Sequence, residues 1–533
     1  MSRPINWTRW FIICAGALFI FRIFVLIFAQ HELGPDETQY WFWSETPAFG
    51  YFSKPPVIAW AIAATTGFFG ETEWAVRLSS SLFHLGTAAL LFAAGRTLYD
   101  TETGFWTGVS WLLMPGVTIS SAIISTDAAL LFFWSAGLLA LIRTAGDTAR
   151  LSAVNISLLG FAIGFGLLSK YAMIYFLIGV ALLPLLDARF RTSAFIISSF
   201  CATIIGFAVF SPNILWNMQN DFQTLAHTAA NANWRDDLFH PIKLVEFLGG
   251  QFGLAGPLIL LLAVFGARSA WRHRQNRDGW KGLMLLAFAT PPILIVSIQA
   301  LLSRAHANWA AASYPAATLL AVTLALKWVR AAKTTEKQTG TNSELRRRAV
   351  LILPASIALH ANVLGVFSLA VIAPAGADAL GLSGAFKRLR GWEEQGRVIA
   401  TRAADFDAIL CDDREVMGGV LYYAPTDKPV FAWESNSSID HHYEAFHRHD
   451  GRGETRFLYV TPYSKAETAL RRFKTINPLG YDTANLGGDR SRTLYFFHVE
   501  GRVEPRRKAV AAARAANAEN NPAFSRKRLP GGD

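Results

Sequence analysis

Long runs of apolar residues recur through the first two-thirds of the chain and constrain its fold more than any other feature. The first run covers residues 10–29 and reads WFIICAGALFIFRIFVLIFA. A helix of about 20 apolar residues matches the thickness of the hydrocarbon core of a bilayer. The sequence therefore predicts a polytopic α-helical membrane protein.

Hydropathy predicts about eleven spanning helices. The first is interpreted as an uncleaved anchor, because its apolar run is longer than that of a signal peptide and further spans follow it. The others are predicted at 77–98, 104–124, 127–143, 153–168, 171–187, 194–211, 244–267, 281–302, 309–329 and 349–373. Residues 1–373 are thus predicted to form a transmembrane domain.

Lysine and arginine are distributed unevenly between the predicted loops. If the N-terminus is cytoplasmic, the inner loops hold most of them, including those of segment 268–281. The outer loops keep only Lys54, Arg77, Lys170, Arg235, Lys243 and Arg304. This positive-inside pattern predicts a multi-pass membrane protein with a cytoplasmic N-terminus, whose outer loops and C-terminal segment lie on the exported side.

The C-terminal region has a different composition. Residues 374–500 contain charge, turn residues and the short β-like runs DAILCDD, KPVFAW, RFLYVT and TLYFFHV, which predict a small α/β domain outside the membrane. Residues 501–533 are basic and Ala-rich, which is typical of a frayed helix or disorder. A tail on the exported side argues against a nucleic-acid partner, and anionic membrane lipids explain its charge more simply.

The first outer loop, residues 30–76, is the most informative for function. Asp36 and Glu37 follow the first span directly, where carboxylates are costly unless they have partners or a task. The pair could equally mark the end of the span and the start of the next helix. The segment VIAWAIAATTGFF in this loop is apolar but too short to span, so we expect helices lying at the interface.

Lys54 lies in the same loop, directly before Pro55 and Pro56. Proline rings restrict the backbone of the residue that precedes them, so the lysine stands on a stiff segment. A positive charge at the headgroup level suits a phosphate. The alternative is an ordinary interface lysine whose amine reaches toward water.

Polar residues from distant parts of the chain reach the same outer surface in this topology. Acids and bases that converge from several loops are what an active site at a membrane surface requires, although unrelated loop charges would give the same list. The residues concerned are Asp127, Lys170, His227, Arg235, Asp236, Asp237, His240, Arg304, His306 and Asn308.

The sequence does not require a metal or another cofactor. It has three cysteines and neither a CxxC nor an HExxH motif. A divalent cation could still bridge a phosphate to Asp36, Glu37 and Asp127, which offer hard oxygen ligands. The metal content is therefore left open.

Several of these segments together resemble a known family. They are Asp36-Glu37, GYFSKPPVIAW, ETEWAVRL, ISTDAALLFFW, LLSKYAM and RAHANWAAASYPA. Their order is similar to that in dolichyl-phosphate-mannose protein mannosyltransferase-like enzymes, and in particular to bacterial lipid A and lipopolysaccharide galacturonosyltransferases and the aminoarabinose transferase. The resemblance covers roughly residues 10–330.

This resemblance implies a GT-C fold, a polyprenyl-phosphate-linked sugar as donor, and a lipid-linked or glycan acceptor. It also implies a bacterial inner membrane, with the active site and the C-terminal domain on the periplasmic side. It implies that Asp36 is the catalytic carboxylate, that Lys54 contacts the donor phosphate, and that Asp127 is a second acidic site residue. Glu37 is grouped with the catalytic acids because it adjoins Asp36. Arg77, Arg304 and His306 are assigned to the donor phosphate from their position alone.

Two other functions are compatible with the pattern. A transporter or flippase would also have many spans and a charge such as Arg22 within one of them. A non-enzymatic envelope assembly factor would use the exported domain to bind partners. Neither explains why the candidate residues collect at one surface, so the sequence favours a glycosyltransferase.

Overall fold

The computed structural model describes residues 5–146, 152–234, 238–339, 344–433, 439–449, 455–466 and 471–502. The chain divides into two compact units, Met1–Leu389 and Arg390–Asp533. Three residues named above, Arg235, Asp236 and Asp237, lie outside the described residues. So does the predicted tail from residue 503 onward.

The first unit is helical. Its helices are α1 (Trp7–Ile27), α2 (Pro35–Ser44), α3 (Val57–Phe69), α4 (Glu73–Leu98), α5 (Thr101–Leu113), α6 (Pro115–Ala122), α7 (Thr126–Gly146), α8 (Ala153–Ser169), α9 (Ile174–Leu186), α10 (Ser193–Gln219), α11 (Gln223–Ala230), α12 (Pro241–Ala255), α13 (Pro257–Arg272), α14 (Gly279–Leu302), α15 (Tyr314–Thr339), α16 (Glu344–Ile372), α17 (Pro374–Ala379) and α18 (Ser383–Phe386). Short 3-10 turns cover Tyr171–Met173, Ala188–Arg191, Ala307–Ser313 and Lys387–Leu389.

Among the described residues, seven helices are long and apolar enough to cross a membrane. The number rises to eight if α12 and α13, which meet at an angle of 108°, count as one span. The predicted eleven are not confirmed. Pro115 separates α5 from α6 within the predicted span 104–124, and α8 and α9 are each shorter than the usual spanning length.

Small residues let the helices of this unit approach closely. A Cβ atom added to Gly206 of α10 would lie 2.6 Å from Ile163 Cγ2 of α8, and one added to Gly137 of α7 would lie 2.8 Å from Phe176 Cζ of α9. In lipid, helices associate through such close packing rather than through hydrophobic burial. These contacts pack α10 closely against α8 and α7 closely against α9.

Residues 374–389 belong to the helical unit, whereas the sequence placed them in the C-terminal domain. Ala377 and Phe386 are buried against Val25 of α1 and Val371 of α16. The ring of His31 stacks on Phe386 at 4.2 Å between centroids. Hydropathy does not detect the packing of residues that follow the last span. The boundary between the two units therefore lies at residue 389 and not at residue 373.

The second unit contains a five-stranded sheet of order β2-β1-β3-β5-β4. Its strands are β1 (Ala408–Cys411), β2 (Val430–Ala432), β3 (Phe457–Thr461), β4 (Phe473–Gly487) and β5 (Arg490–Arg502), and its helices are α19 (Trp392–Ala403), α20 (Arg414–Tyr423) and α21 (His442–Phe446). The first three strands are parallel, whereas β5 is antiparallel to both β3 and β4. Strands β1, β2 and β3 lie within predicted β-like runs, and β5 contains the run TLYFFHV and extends beyond it at both ends, whereas β4 was missed. The placement of this unit outside the membrane stays a prediction.

Candidate functional site

Glu37 and Arg77 form a buried ion pair in the first unit. Arg77 Nε donates to Glu37 Oε1 at 2.8 Å, and Arg77 Nη2 donates to Glu37 Oε2 at 2.7 Å. The same carboxylate accepts the backbone N–H groups of Gly34, at 2.9 Å, and of Ile124, at 3.0 Å. The pair therefore joins the start of α2 to α4 and to the segment between α6 and α7.

The remaining donors of Arg77 bind the chain that leads into α2. Its Nη1 donates to the carbonyl of His31 at 2.9 Å, and its Nη2 to that of Glu32 at 2.7 Å. Glu37 and Arg77 are only 4 % and 2 % exposed. This geometry disagrees with their predicted roles as catalytic acid and phosphate contact, because a substrate could reach them only by breaking these bonds.

Asp36 lies on a different face of α2 from Glu37. It lies in the first turn of α2, which starts with Pro35, and it is exposed while its neighbour is buried. Adjacent helical residues point about 100° apart, so only one of the two can face the α4 contact. The helix N-terminus favours a negative charge at this position. Asp36 is therefore the accessible carboxylate of the predicted pair.

Lys54 is partly buried and follows a tightly held turn. Its carbonyl accepts the backbone N–H of Tyr51 at 3.1 Å. The Tyr51 ring stacks on Trp43 at 4.7 Å, and the Tyr51 hydroxyl donates to the carbonyl of Trp43 at 3.0 Å. Burial raises the pKa of Tyr51 to about 12, so the hydroxyl stays protonated and continues to donate.

Polar groups of α10 and α11 hold the same turn from the other side. Asn213 Nδ2 donates to the carbonyl of Phe49 at 2.6 Å, and Thr224 Oγ1 donates to that of Tyr51 at 2.7 Å. Asn213 Oδ1 in turn accepts the hydroxyl of Tyr171 at 2.9 Å. Sequence reasoning missed these supports. The asparagine inside the apolar helix α10 was the available signal, because such a residue needs a partner.

Asp127 contacts two polar residues from other parts of the chain. Lys170 Nζ donates to Asp127 Oδ1 at 2.7 Å, and Asn308 Nδ2 donates to Asp127 Oδ2 at 2.8 Å. Asp127 opens α7, Lys170 lies between α8 and α9, and Asn308 lies in the 3-10 turn before α15. The structure thus brings together three of the residues that the topology placed on one surface.

Arg304 and His306 are exposed, directly before the 3-10 turn that holds Asn308. Within the part of the chain that the structure describes, the side chain of Arg304 makes no hydrogen bond or ion pair, and His306 contacts the ring of Trp309 edge-on at 5.4 Å. Gln299 Nε2 donates to the carbonyl of Arg304 at 3.2 Å and holds the segment. These groups are accessible to an anionic ligand.

The predicted metal ligands are not grouped together. In the described ranges no three His, Cys, Asp or Glu residues lie close enough to hold an ion. Glu37 is occupied by Arg77, and Asp127 by Lys170. A divalent cation stays a prediction that these contacts do not support.

The chain is similar in sequence to proteins of a known family. A sequence model described as dolichyl-phosphate-mannose-protein mannosyltransferase matches residues 53–216. The chain is 33% identical over 410 residues to the lipid A galacturonosyltransferase RgtD of Rhizobium johnstonii, which covers 76% of this chain and 80% of that protein. It is 26% identical over 277 residues to the lipopolysaccharide core galacturonosyltransferase RgtA of the same organism, covering 50% of this chain and 54% of that protein.

Solved structures share the fold. ArnT from Cupriavidus metallidurans in the apo state superposes with a TM-score of 0.61 at 14% identity, over 92% of this chain and 98% of that one. The structure of ArnT bound to undecaprenyl phosphate gives a TM-score of 0.58 at 15% identity, over 95% and 100% of the two chains. At such low identity this likeness establishes the fold alone.

Proposed function

The chain belongs to the GT-C glycosyltransferase family, and from that premise we propose that it moves a sugar from a polyprenyl-phosphate carrier to a hydroxyl of lipid A or the lipopolysaccharide core. The observation that carries the proposal is the similarity to RgtD, which extends over most of both chains. The donor class is supported by ArnT, which has this fold and was solved with undecaprenyl phosphate.

Asp36 is the proposed general base. It is the exposed member of the Asp36-Glu37 pair and lies at the start of α2. The acceptor hydroxyl must lose its proton as its oxygen attacks the anomeric carbon, and a carboxylate within hydrogen-bond reach can take that proton. One carboxylate suffices for a single displacement, so we propose inversion at the anomeric centre. A double displacement would need a second carboxylate as nucleophile.

The departing group is a polyprenyl phosphate, which needs positive charge rather than an acid. The bond between the anomeric carbon and the phosphate oxygen breaks, and its electrons stay on that oxygen. The exposed Arg304 and His306 and the partly buried Lys54 would stabilise this negative charge. Glu37 and Arg77 would act indirectly, by fixing the segment that carries Asp36.

Asp127 would then hold other side chains in position and would not take part in the reaction itself. Its carboxylate holds Lys170 and Asn308, and Asn308 lies in the segment that follows Arg304 and His306. This ties the first turn of α7 to the proposed phosphate contacts.

The contacts within the first span argue against a transport pathway through it. Arg22 is buried and donates to the carbonyl of Leu112 in α5, which gives this charge a structural partner. A non-enzymatic assembly factor would leave the accessible Asp36 and Arg304 without a purpose. The enzyme remains the better proposal.

We place the active surface and the second unit on the periplasmic side of the inner membrane, because the cationic loops collect at the other end of the helices. Alkaline phosphatase, which is active only after export from the cytoplasm, should be active when it is fused after residue 400. Activity of a cytoplasmic reporter at the same position would reverse the proposed orientation and contradict a periplasmic site.

The function itself is tested in cells. Mass spectrometry of envelope lipids should show a species carrying one additional sugar when the gene is present, and that species should be lost on deletion. Restoring the unmodified gene should return it, whereas an Asp36→Asn copy expressed to the same level should not. Identical lipid profiles with and without the gene would contradict the proposed acceptor class.

A further inference from the structure

A cavity of about 210 Å³ lies in the first unit far from the candidate site. It is lined by residues at the ends of α4 and α13, at the start of α14, and in α15. Tyr99 lines it and follows Arg77 by 22 residues, which corresponds to about 33 Å along a helix at 1.5 Å per residue. The cavity therefore belongs to the opposite end of the bundle from the Glu37–Arg77 pair.

The lining carries more positive than negative charge. Lys281 and Lys327 line the cavity together with one carboxylate, Asp278. Lys281 Nζ lies 3.1 Å from Asp278 Oδ1, and the Lys281 side chain is 23% exposed. His273 also lines the cavity, with its Nδ1 at 2.8 Å from the carbonyl of Ser269. At neutral pH the two lysines outweigh the aspartate, so the cavity favours an anion.

The remaining lining suits a ligand with both a polar and an apolar part. Tyr99, Ser269 and Thr323 offer hydroxyl groups, whereas Leu320 and Leu324 are apolar. The volume far exceeds the roughly 10–15 Å³ that one water molecule needs. In a phospholipid headgroup, the phosphodiester would contact the hydroxyl groups, and the first glycerol carbons would contact the apolar side chains.

The residues around the cavity are of the types found at the headgroup region of a membrane. Trp271 is 51% exposed, and the guanidinium of Arg274 lies 4.7 Å over its ring. Arg189 lies 4.6 Å over the ring of Trp280. Tryptophan and arginine collect at membrane interfaces, and basic pockets between helices at the cytoplasmic side bind anionic headgroups.

We propose that this cavity binds the phosphate headgroup of an anionic phospholipid from the membrane leaflet opposite the candidate active site. Lys281 and Lys327 supply the charge, and the hydroxyl groups of the lining donate to the phosphate oxygens. The proposal is independent of the transferase reaction, because none of the lining residues belongs to the candidate site.

Phosphatidylglycerol is the probe, and the full chain purified in detergent is the sample. Native mass spectrometry should show phosphatidylglycerol retained in preference to phosphatidylcholine. Lys281→Gln and Lys327→Gln should each weaken its binding about fivefold, since one lysine near an anionic headgroup is worth about a factor of five, and the double variant about 25-fold. The matched control is Lys243→Gln. Lys243 also pairs with a carboxylate three residues away but does not line the cavity, so its loss should leave binding unchanged.

Competition identifies the source of the phosphate. If the site takes a lipid, millimolar inorganic phosphate should not displace phosphatidylglycerol. Displacement by inorganic phosphate would overturn the lipid assignment and give the site to a soluble anion. The double variant and the unmodified protein should have the same thermal-unfolding midpoint, which shows that both are folded. If the two proteins then retained phosphatidylglycerol equally, the proposed site would be wrong.

Discussion

Asp36→Asn should lower the turnover of the purified protein by about 10²-fold or more, the scale of general base catalysis. Asparagine keeps the size of the side chain and its place in the first turn of α2 but cannot accept the proton of the acceptor hydroxyl. Donor binding should change much less, because a carboxylate does not attract a phosphate. The measurement is the rate of sugar transfer at saturating donor, with donor affinity determined separately.

Lys54→Gln is the matched contrast to Asp36→Asn. It removes a positive charge from the same loop, so donor affinity should fall along with turnover, and Lys54→Arg should restore it only in part. If Asp36→Asn kept near-normal transfer while donor affinity fell, Asp36 would be a binding residue. If both Asp36→Asn and Lys54→Gln were fully active, the first loop would lie outside the reaction.

Arg77→Gln should destabilise the protein by about 3–5 kcal/mol, because it leaves Glu37 as a buried charge without its partner. The matched control is Arg330→Gln. Arg330 forms ion pairs with Asp100 and Glu102, whereas Arg77 pairs with Glu37. The Arg330 side chain is 47% exposed, and such exposed pairs contribute about 0–1 kcal/mol. Thermal unfolding in detergent compares the two variants. Equal and small shifts would contradict a structural role for the Glu37–Arg77 pair.

The double variant Glu37→Gln with Arg77→Gln makes this test sharper. Removing both charges leaves no unpaired ion, so the double variant should be less destabilised than the sum of the single variants. The double variant should still lose transfer activity, because the segment that carries Asp36 is no longer fixed. If the stability losses of the two single variants were additive, the two charges would not stabilise each other. If a destabilised single variant kept full activity, the Glu37–Arg77 pair would not support the active site.

The sequence identified the residues of the first loop but could not assign them to faces. Asp36 and Glu37 have the same chemistry and adjacent positions, so their difference arises only from the packing of α2 against Arg77. By contrast, topology alone predicted that Asp127, Lys170 and Asn308 reach one surface, and the structure places them in contact. The predicted topology therefore identified neighbouring residues, whereas it could not tell which of two adjacent carboxylates is buried.

The number of spans shows a related limit. Hydropathy measures composition over a window and predicted one span at 244–267, whereas the chain turns at Gly256, whose φ is 77°. That left-handed conformation favours glycine and allows the 108° bend between α12 and α13.

Strand β4 was missed because its sequence contains residues that are typical of turns. Pro478 and Gly480 make it resemble a loop, yet in the described sheet β4 is an edge strand that pairs with β5, and an edge strand tolerates both residues.

Transfer by the purified protein tests the central claim most directly. The protein should be incubated with lipid A and a panel of polyprenyl-phosphate-linked sugars, which includes galacturonic acid because the 33% identical RgtD is named a lipid A galacturonosyltransferase. The account predicts a lipid A product heavier by one sugar, release of one polyprenyl phosphate per product, and neither of these with Asp36→Asn. If the unmodified protein bound both substrates but released polyprenyl phosphate without glycosylating lipid A, the proposed acceptor would be wrong. If it consumed no lipid-linked sugar with any envelope acceptor, the glycosyltransferase mechanism proposed for this site would be contradicted.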